Sequence, residues 1–380
     1  MALIKLLILD DDDEYSFNLC NFLTHHYSEK LLVNYCSSAF NVEEWIKKID
    51  PDILLVCDKY YDQINGFHKT KILFTSGKIS SHSTHLTQIY KYKDANKIAG
   101  DIINSYINAG NILSSSKEKI TRTIAVYSAS GNVGKTSVAL GVSSICSLSG
   151  RSVFYLNLEQ FQTTSLFFSN NGDYSFSDII YLAKEKDKNL VSKVMTMGCR
   201  HPETNISYFS QPGNILEIND LTSGDIGCIL DSLKECGQYD LVVIDMDSRL
   251  DENTLKVFEM ADDILYIFTE DEICLHKTDF FISNMEKLSF KLYQTSYLIN
   301  KIQFIANKVS TQTLHSSNNS FQKQKVISQI PFLGNATSIK KFSKLNGESE
   351  KIYASFKEIA KNMFKQGITE DSRFEAGINK

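Results

Sequence analysis

Proline is nearly absent from this 380-residue chain, which has four. That scarcity excludes Pro-rich recognition segments and stiff extended linkers, and it favours regular helices and strands. No apolar run approaches the ~18 residues that cross a bilayer, so no transmembrane segment is expected. None of the eight cysteines forms a CxxC pair, and no histidine falls at a metal-finger spacing. Reduced, mostly buried thiols in a cytoplasmic protein are the expectation. An excess of positive charge is also missing. Forty Lys and Arg against 45 Asp and Glu give a formal charge of −5, which argues against a surface that grips nucleic acid throughout and leaves room for a local basic patch. The opening stretch Met1–Leu9 is apolar, but Lys5 interrupts it and four aspartates end it. It reads as a buried strand and not as a signal peptide.

What is present is enough for ordinary cores, with 42% hydrophobic and 22% charged residues. The length suits two domains at roughly 150 residues each. Short apolar runs recur at 6–9, 53–57, 71–74, 124–127, 153–158, 241–244, 264–268 and 304–306. They do not alternate, as expected of strands covered on both faces. Helical patterns lie between them, at 42–49, 137–148 and 254–261. The fold class is α/β, as two doubly wound, mainly parallel-sheet domains. Ser114–Lys119 is polar and Ser-rich, so the expected division is a first domain at 1–113, a linker at 114–120, a second domain at 121–366 and a polar tail at 367–380. Thr311–Gln324 reads as a surface loop inside the second domain. No internal repeat is seen.

The strongest local signal is the run at 123–137, TIAVYSASGNVGKTS, in which a strand enters a small-residue loop and Gly134-Lys135-Thr136 opens a helix. That order is the context of a phosphate loop. Backbone N–H groups from Gly131, Asn132, Val133, Gly134 and Lys135 can wrap a phosphate, helped by the positive end of the helix. Lys135 would reach the β- and γ-phosphates of ATP or ADP, and Thr136 would hold Mg²⁺. The strict GxxxxGK[ST] pattern fails at one place, where Ala129 stands for the first glycine. Leu241–Asp245 is an apolar strand ending in a carboxylate, and Asp245 is the second candidate for Mg²⁺.

Here the residues reach a family. The loop Ser130–Ser137 resembles the deviant Walker A loop of MinD/ParA ATPases. Val153–Phe161 is similar to the family strand that ends in Asp-Leu-Asp, and Gln160-Phe161 resembles the CpaE/TadZ branch. Tyr239–Asp245 and Ala261–Ile267 are similar to the Walker B strand and the strand after it. Phe304–Val309, with Asn307, resembles the strand whose asparagine reads adenine, and Ile330-Pro331 follows in order. The resemblance covers about residues 120 to 365. It implies a nucleotide site at Gly131–Ser137 and Asn307, metal contacts at Thr136 and Asp245, and Lys135 and Glu159 as catalytic groups. Departures accompany it. Ser130 replaces the signature lysine that crosses the dimer, Asn132 replaces a glycine, Asn157 and Glu159 replace two aspartates, and Arg249 replaces a glycine. Slow hydrolysis is the expectation, because Glu159 carries its carboxylate one methylene further.

In the first domain, Asp10–Asp13 follow the first strand, Asp58 is read as ending the third, Thr75 and Ser76 end the fourth, and Lys91 follows a short fifth. This order resembles a two-component receiver. The acceptor place counted from Pro51 is Cys57, one before Asp58, and a one-residue shift faces a strand side chain the other way. A degenerate receiver that binds partners is therefore favoured over a phosphorylated one. Trp45 is expected to pack its core. The helix carrying Tyr353, Phe356, Ile359, Ala360, Met363 and Phe364 also bears Lys351, Lys357, Lys361 and Lys365. Its apolar stripe is expected to pack on the sheet, with peripheral membrane contact as the rival reading. The resemblance implies a homodimeric localisation scaffold of Tad (Flp) pilus assembly, in contact with its assembly proteins. An active ParA-type partitioning ATPase and a phosphorylation-gated regulator stay open as alternatives.

Overall fold

The computed structural model describes residues 3–28, 30–37, 42–64, 67, 69–77, 87–108, 121–168, 174–293, 297–309, 326–332 and 349–365. The expected linker, the polar loop and the polar tail lie outside them. The chain divides into two units, Met1–Glu118 and Lys119–Lys380.

The first unit holds five strands: β1 Ile4–Leu9, β2 Leu31–Cys36, β3 Ile53–Cys57, β4 Thr70–Thr75 and β5 Gln88–Tyr90. They form one parallel sheet in the order β2-β1-β3-β4-β5. That is the flavodoxin-like order. Every residue of β3 is buried, although successive side chains face opposite ways, so both faces of this strand are covered. The helix Asp13–His26 starts where the Asp12 carboxylate accepts from the N–H of Tyr15 at 3.0 Å. Leu7, Leu9, Leu54, Val56, Val42 and Ile64 make one core, and Trp45 packs against it as expected. The sequence reading of Asp58 as the end of β3 needs correction. The strand ends at Cys57, and Asp58 begins the short helix Asp58–Tyr61.

The second unit adds eight strands: β6 Arg122–Tyr127, β7 Val153–Asn157, β8 Cys199–Arg200, β9 Ser207–Tyr208, β10 Leu241–Asp245, β11 Asp263–Phe268, β12 Ile302–Val309 and β13 Val326–Pro331. Their order is β13-β12-β11-β6-β10-β7-β9-β8, parallel except for the β8–β9 pair. β7, β10 and β11 are buried at every position. The register sets Asp245 of β10 beside Val126 of β6 and Asn157 of β7, so three strands end level. In open parallel sheets ligands sit at those carboxyl ends, at the point where the strand order turns outward in both directions. Here that point is β6.

The helix Ser349–Lys365 buries Phe356, Ile359, Ala360 and Met363, so its apolar stripe packs inward as expected. Phe356 lies against the helix Lys135–Leu148 at Gly141, where an added Cβ would come within 2.4 Å of the ring. Gly141→Ala should therefore lower stability by about 1 kcal/mol or more, despite a helix-propensity gain of about 1 kcal/mol. Urea unfolding of this variant beside Gly141→Ala combined with Phe356→Leu tests the cause, because the smaller side chain should restore the loss.

Candidate functional site

β6 runs into the segment Ser128–Gly134, and the helix Lys135–Leu148 follows directly. The loop needs backbone that L-residues rarely adopt. Asn132 has φ 58° and Gly134 has φ 94°. Gly134 is required for a second reason, since a Cβ there would sit 2.4 Å from the side-chain nitrogen of Asn307. That nitrogen donates to the Val133 carbonyl at 2.7 Å, and Lys308 Nζ donates to the Asn132 carbonyl at 2.7 Å. The end of β12 therefore holds the loop in place. Gly131 and Asn132 are exposed, whereas Val133 is buried and presents its backbone only. A cleft of about 430 Å³ opens beside Gly131, Asn132 and Lys308, bounded by Ile273, Cys274 and Lys277 of the helix Glu272–Tyr293. Its size suits a small-molecule ligand.

The structure brings Lys135, Thr136, Glu159 and Asp245 together. Lys135 is buried, and its ammonium donates to Ser248 Oγ at 2.9 Å. The Ser248 hydroxyl donates in turn to the Ser130 carbonyl at 3.1 Å. Thr136 Oγ1 donates to Glu159 Oε2 at 3.4 Å. Asp245 has no exposed surface; Tyr155 OH donates to its Oδ2 at 2.8 Å, while Oδ1 is buried without a partner. Burial pushes both carboxyls above their ordinary range, and for Glu159 the negative charge of Asp245 adds to it, with Lys135 acting the other way. An orphaned buried carboxylate oxygen beside a threonine hydroxyl is a fit for a hydrated divalent cation. A small-residue loop that opens a helix beside a buried lysine is a fit for phosphate oxygens. Mg²⁺ and a nucleotide thus match the residues that would hold them.

Two positions behave differently from their sequence-level description. Asn157, read as a lost aspartate, holds the neighbouring turn: its Oδ1 accepts from the N–H of Glu159 at 2.8 Å, and its Nδ2 donates to Thr164 at 3.2 Å. Arg249 lies outside the pocket, 3.3 Å from Asp247 and 3.1 Å from Asn219 Oδ1. Tyr155 and Ser248 were missed. The available signals were a phenol inside a fully apolar strand and a serine three residues after the strand-ending carboxylate.

No family model matches the sequence, and no curated protein matches it. Among solved structures, the septum site-determining protein MinD from Pyrococcus horikoshii, complexed with Mg-ADP, is 18% identical over 66% of this chain and 99% of its own, with a TM-score of 0.49. The cell division ATPase MinD of Pyrococcus furiosus is 17% identical over 65% and 99%, with a TM-score of 0.49. A ParA family ATPase from Chlorobium tepidum is 15% identical over 68% and 98%, at 0.45. Likeness at this level assigns no activity.

Carboxyls whose folded pKa is raised contribute stability that is complete below the unfolded value of about 4 and is lost as pH rises through the folded value. Asp245 and Glu159 are both of this kind. The nucleotide-free protein should lose thermal stability as pH climbs from about 4 to about 7, and Asp245→Asn should flatten that decline. Melting curves across the range, with equal slopes for the two proteins, would contradict the pairing.

Proposed function

We propose that the second unit binds ATP or ADP with Mg²⁺ as a MinD/ParA-like protein of the CpaE/TadZ kind, and that the chain serves as a localisation scaffold in Tad (Flp) pilus assembly. The observation that carries the nucleotide reading is the meeting of Lys135, Thr136, Glu159 and Asp245 at the carboxyl ends of β6, β7 and β10, around a loop that opens a helix. Lys135 reaches the phosphates once they displace Ser248 as its partner. Thr136 and the free oxygen of Asp245 take the Mg²⁺ hydration shell, and Mg²⁺ supplies charge neutralisation at the phosphates. Glu159, held by Asn157, stands where a carboxylate can orient water. Its carboxylate stands one methylene further out than the aspartate of the resembled family, which favours binding over fast turnover. The pilus role rests on the sequence resemblance at Gln160-Phe161 and on the pairing of this unit with a receiver-like one.

The first unit fits a receiver-like contact module in which Asp58 is not phosphorylated. Asp58 Oδ2 accepts from the N–H of Ser76 at 3.2 Å, while Cys57 lies with Asp10 and Asp11. Lys91 Nζ bonds Asp10 at 2.9 Å, so the lysine already has its anion without a phosphoryl group.

Lys135→Ala should abolish nucleotide binding, by at least about a hundredfold, with the fold kept; calorimetric titration with ADP and ATP in Mg²⁺, alongside circular dichroism, measures this. Unchanged affinity would remove the phosphate-loop assignment. A second outcome concerns self-association. Ser130 is buried and its hydroxyl carries no charge, so nothing at the signature position can reach a partner's phosphates. A ligand whose phosphates are not read across an interface shifts no monomer–dimer equilibrium. Sedimentation of the apo, ADP and ATP forms at one concentration should give the same state, and a dimer formed only with ATP would overturn the scaffold reading.

A further inference from the structure

The carboxyl end of the first sheet carries a group of side chains that the nucleotide reading does not use. β1 and β3 are neighbours, with Leu9 beside Val56. The next residues along the two chains are Asp10 and Cys57, followed on the first by Asp11. The carboxylates of Asp10 and Asp11 and the sulfur of Cys57 each offer one atom within 4.8 Å of the others. Asp10 has no exposed surface. Its Oδ1 is satisfied twice, by Lys91 Nζ at 2.9 Å and by the N–H of Asp12 at 3.0 Å. Its Oδ2 is buried and has no partner at all. A charged oxygen left that way costs about 1–3 kcal/mol or more, and native structures rarely leave one without a reason.

We propose that Asp10, Asp11 and Cys57 form a binding site for a thiophilic divalent cation of the zinc class. Two carboxylates alone would suit Mg²⁺, which takes oxygen ligands in an octahedron. A sulfur ligand changes the selection, because thiolate prefers Zn²⁺ and its neighbours in the series and is a poor ligand for Mg²⁺. On binding, the Cys57 S–H bond breaks and its proton leaves to solvent, and a sulfur–metal bond takes its place. The two carboxylates supply one oxygen each, and water completes a tetrahedron from the side of exposed Asp11. Ligand atoms in such a site stand about 3.5 Å apart, so the three must draw in by about an ångström. Lys59 lies 3.4 Å from Asp11 Oδ2, but that pair is more than two-fifths exposed on both sides and yields readily. Lys91 keeps the other oxygen of Asp10 and fixes its direction.

Cobalt(II) serves as the probe, because a thiolate bound to it absorbs in the near ultraviolet and a tetrahedral site gives intense visible bands. Titrating the full-length chain should give one equivalent of cobalt with the thiolate band, displaced by an equivalent of Zn²⁺ and untouched by millimolar Mg²⁺. Cys57→Ser should abolish the band. Asp11→Asn, at an exposed position where folding is not at stake, should weaken cobalt binding about tenfold or more. The proposal fails if no thiolate band forms, if the band survives Cys57→Ser, if Asp11→Asn leaves the affinity unchanged, or if Mg²⁺ displaces cobalt stoichiometrically. These outcomes are independent of nucleotide binding, which is read separately through Lys135.

Discussion

The second unit is organised around one costly feature, the carboxylate of Asp245 at the end of a strand with no exposed surface. Removing a charge from water costs several kcal/mol even after relaxation. Three residues from two elements answer that cost. Tyr155 comes from the adjacent strand, two positions behind Asn157 in a register that sets it beside Val243. Lys135 and Thr136 come from the first turn of the helix that follows the loop. What they leave unanswered is one carboxylate oxygen, and that vacancy in the hydrogen bonding points to a cation. Glu159 adds a second carboxyl to the same low-dielectric space, and burial first, then the negative charge of Asp245, raises its proton affinity.

The loop is fixed from a distance by the strand β12, which is separated from β6 by β11. Asn307 bonds the Val133 carbonyl, and the space it occupies excludes any side chain at position 134. Lys308, itself at φ 57°, bonds the Asn132 carbonyl. Both contacts hold the loop through its carbonyls and not through its N–H groups. A phosphate loop works by preorganised N–H groups, and a brace that acts on carbonyls is compatible with that use.

Much of this was legible in the sequence for a physical reason. Strands covered on both faces lose alternation and read as plain apolar runs, so β1, β3, β4, β6, β7, β10, β11 and β12 could all be placed. β8 and β9 have two residues each and carry no pattern to read. β13 includes Ser328 and Gln329, whose polarity breaks the run, and the Ser328 hydroxyl is satisfied by Glu358 and the Ser355 carbonyl, on a helix about 30 residues on. Lys135, Thr136, Glu159 and Asp245 were legible because local motifs name them. Tyr155 and Ser248 were not, because their roles exist only once strand order sets β7 beside β10 and folds residue 248 back onto the loop. Asn157 shows the converse: its identity was noted as a loss, and its use as a brace for Glu159 needed the geometry.

Three of the departures from the resembled families share one chemical direction. Ser130 stands for a lysine, Asn157 for an aspartate, and Cys57 occupies a carboxylate's place in the first unit. Each exchanges an ionised group for a neutral one at a buried position. Such an exchange removes a charge that would have to be paired, and with it the means of responding to a partner's phosphate or of accepting a phosphoryl group. Two of the three have local surroundings of note, Asn157 in the turn that carries Glu159 and Cys57 near Asp10, one oxygen of which has no hydrogen-bond partner. Asn157 accepts from the Glu159 N–H and donates to Thr164, so the turn is held with a neutral residue in place. That pattern agrees with the proposed reading, in which both sites hold an occupant more than they turn one over.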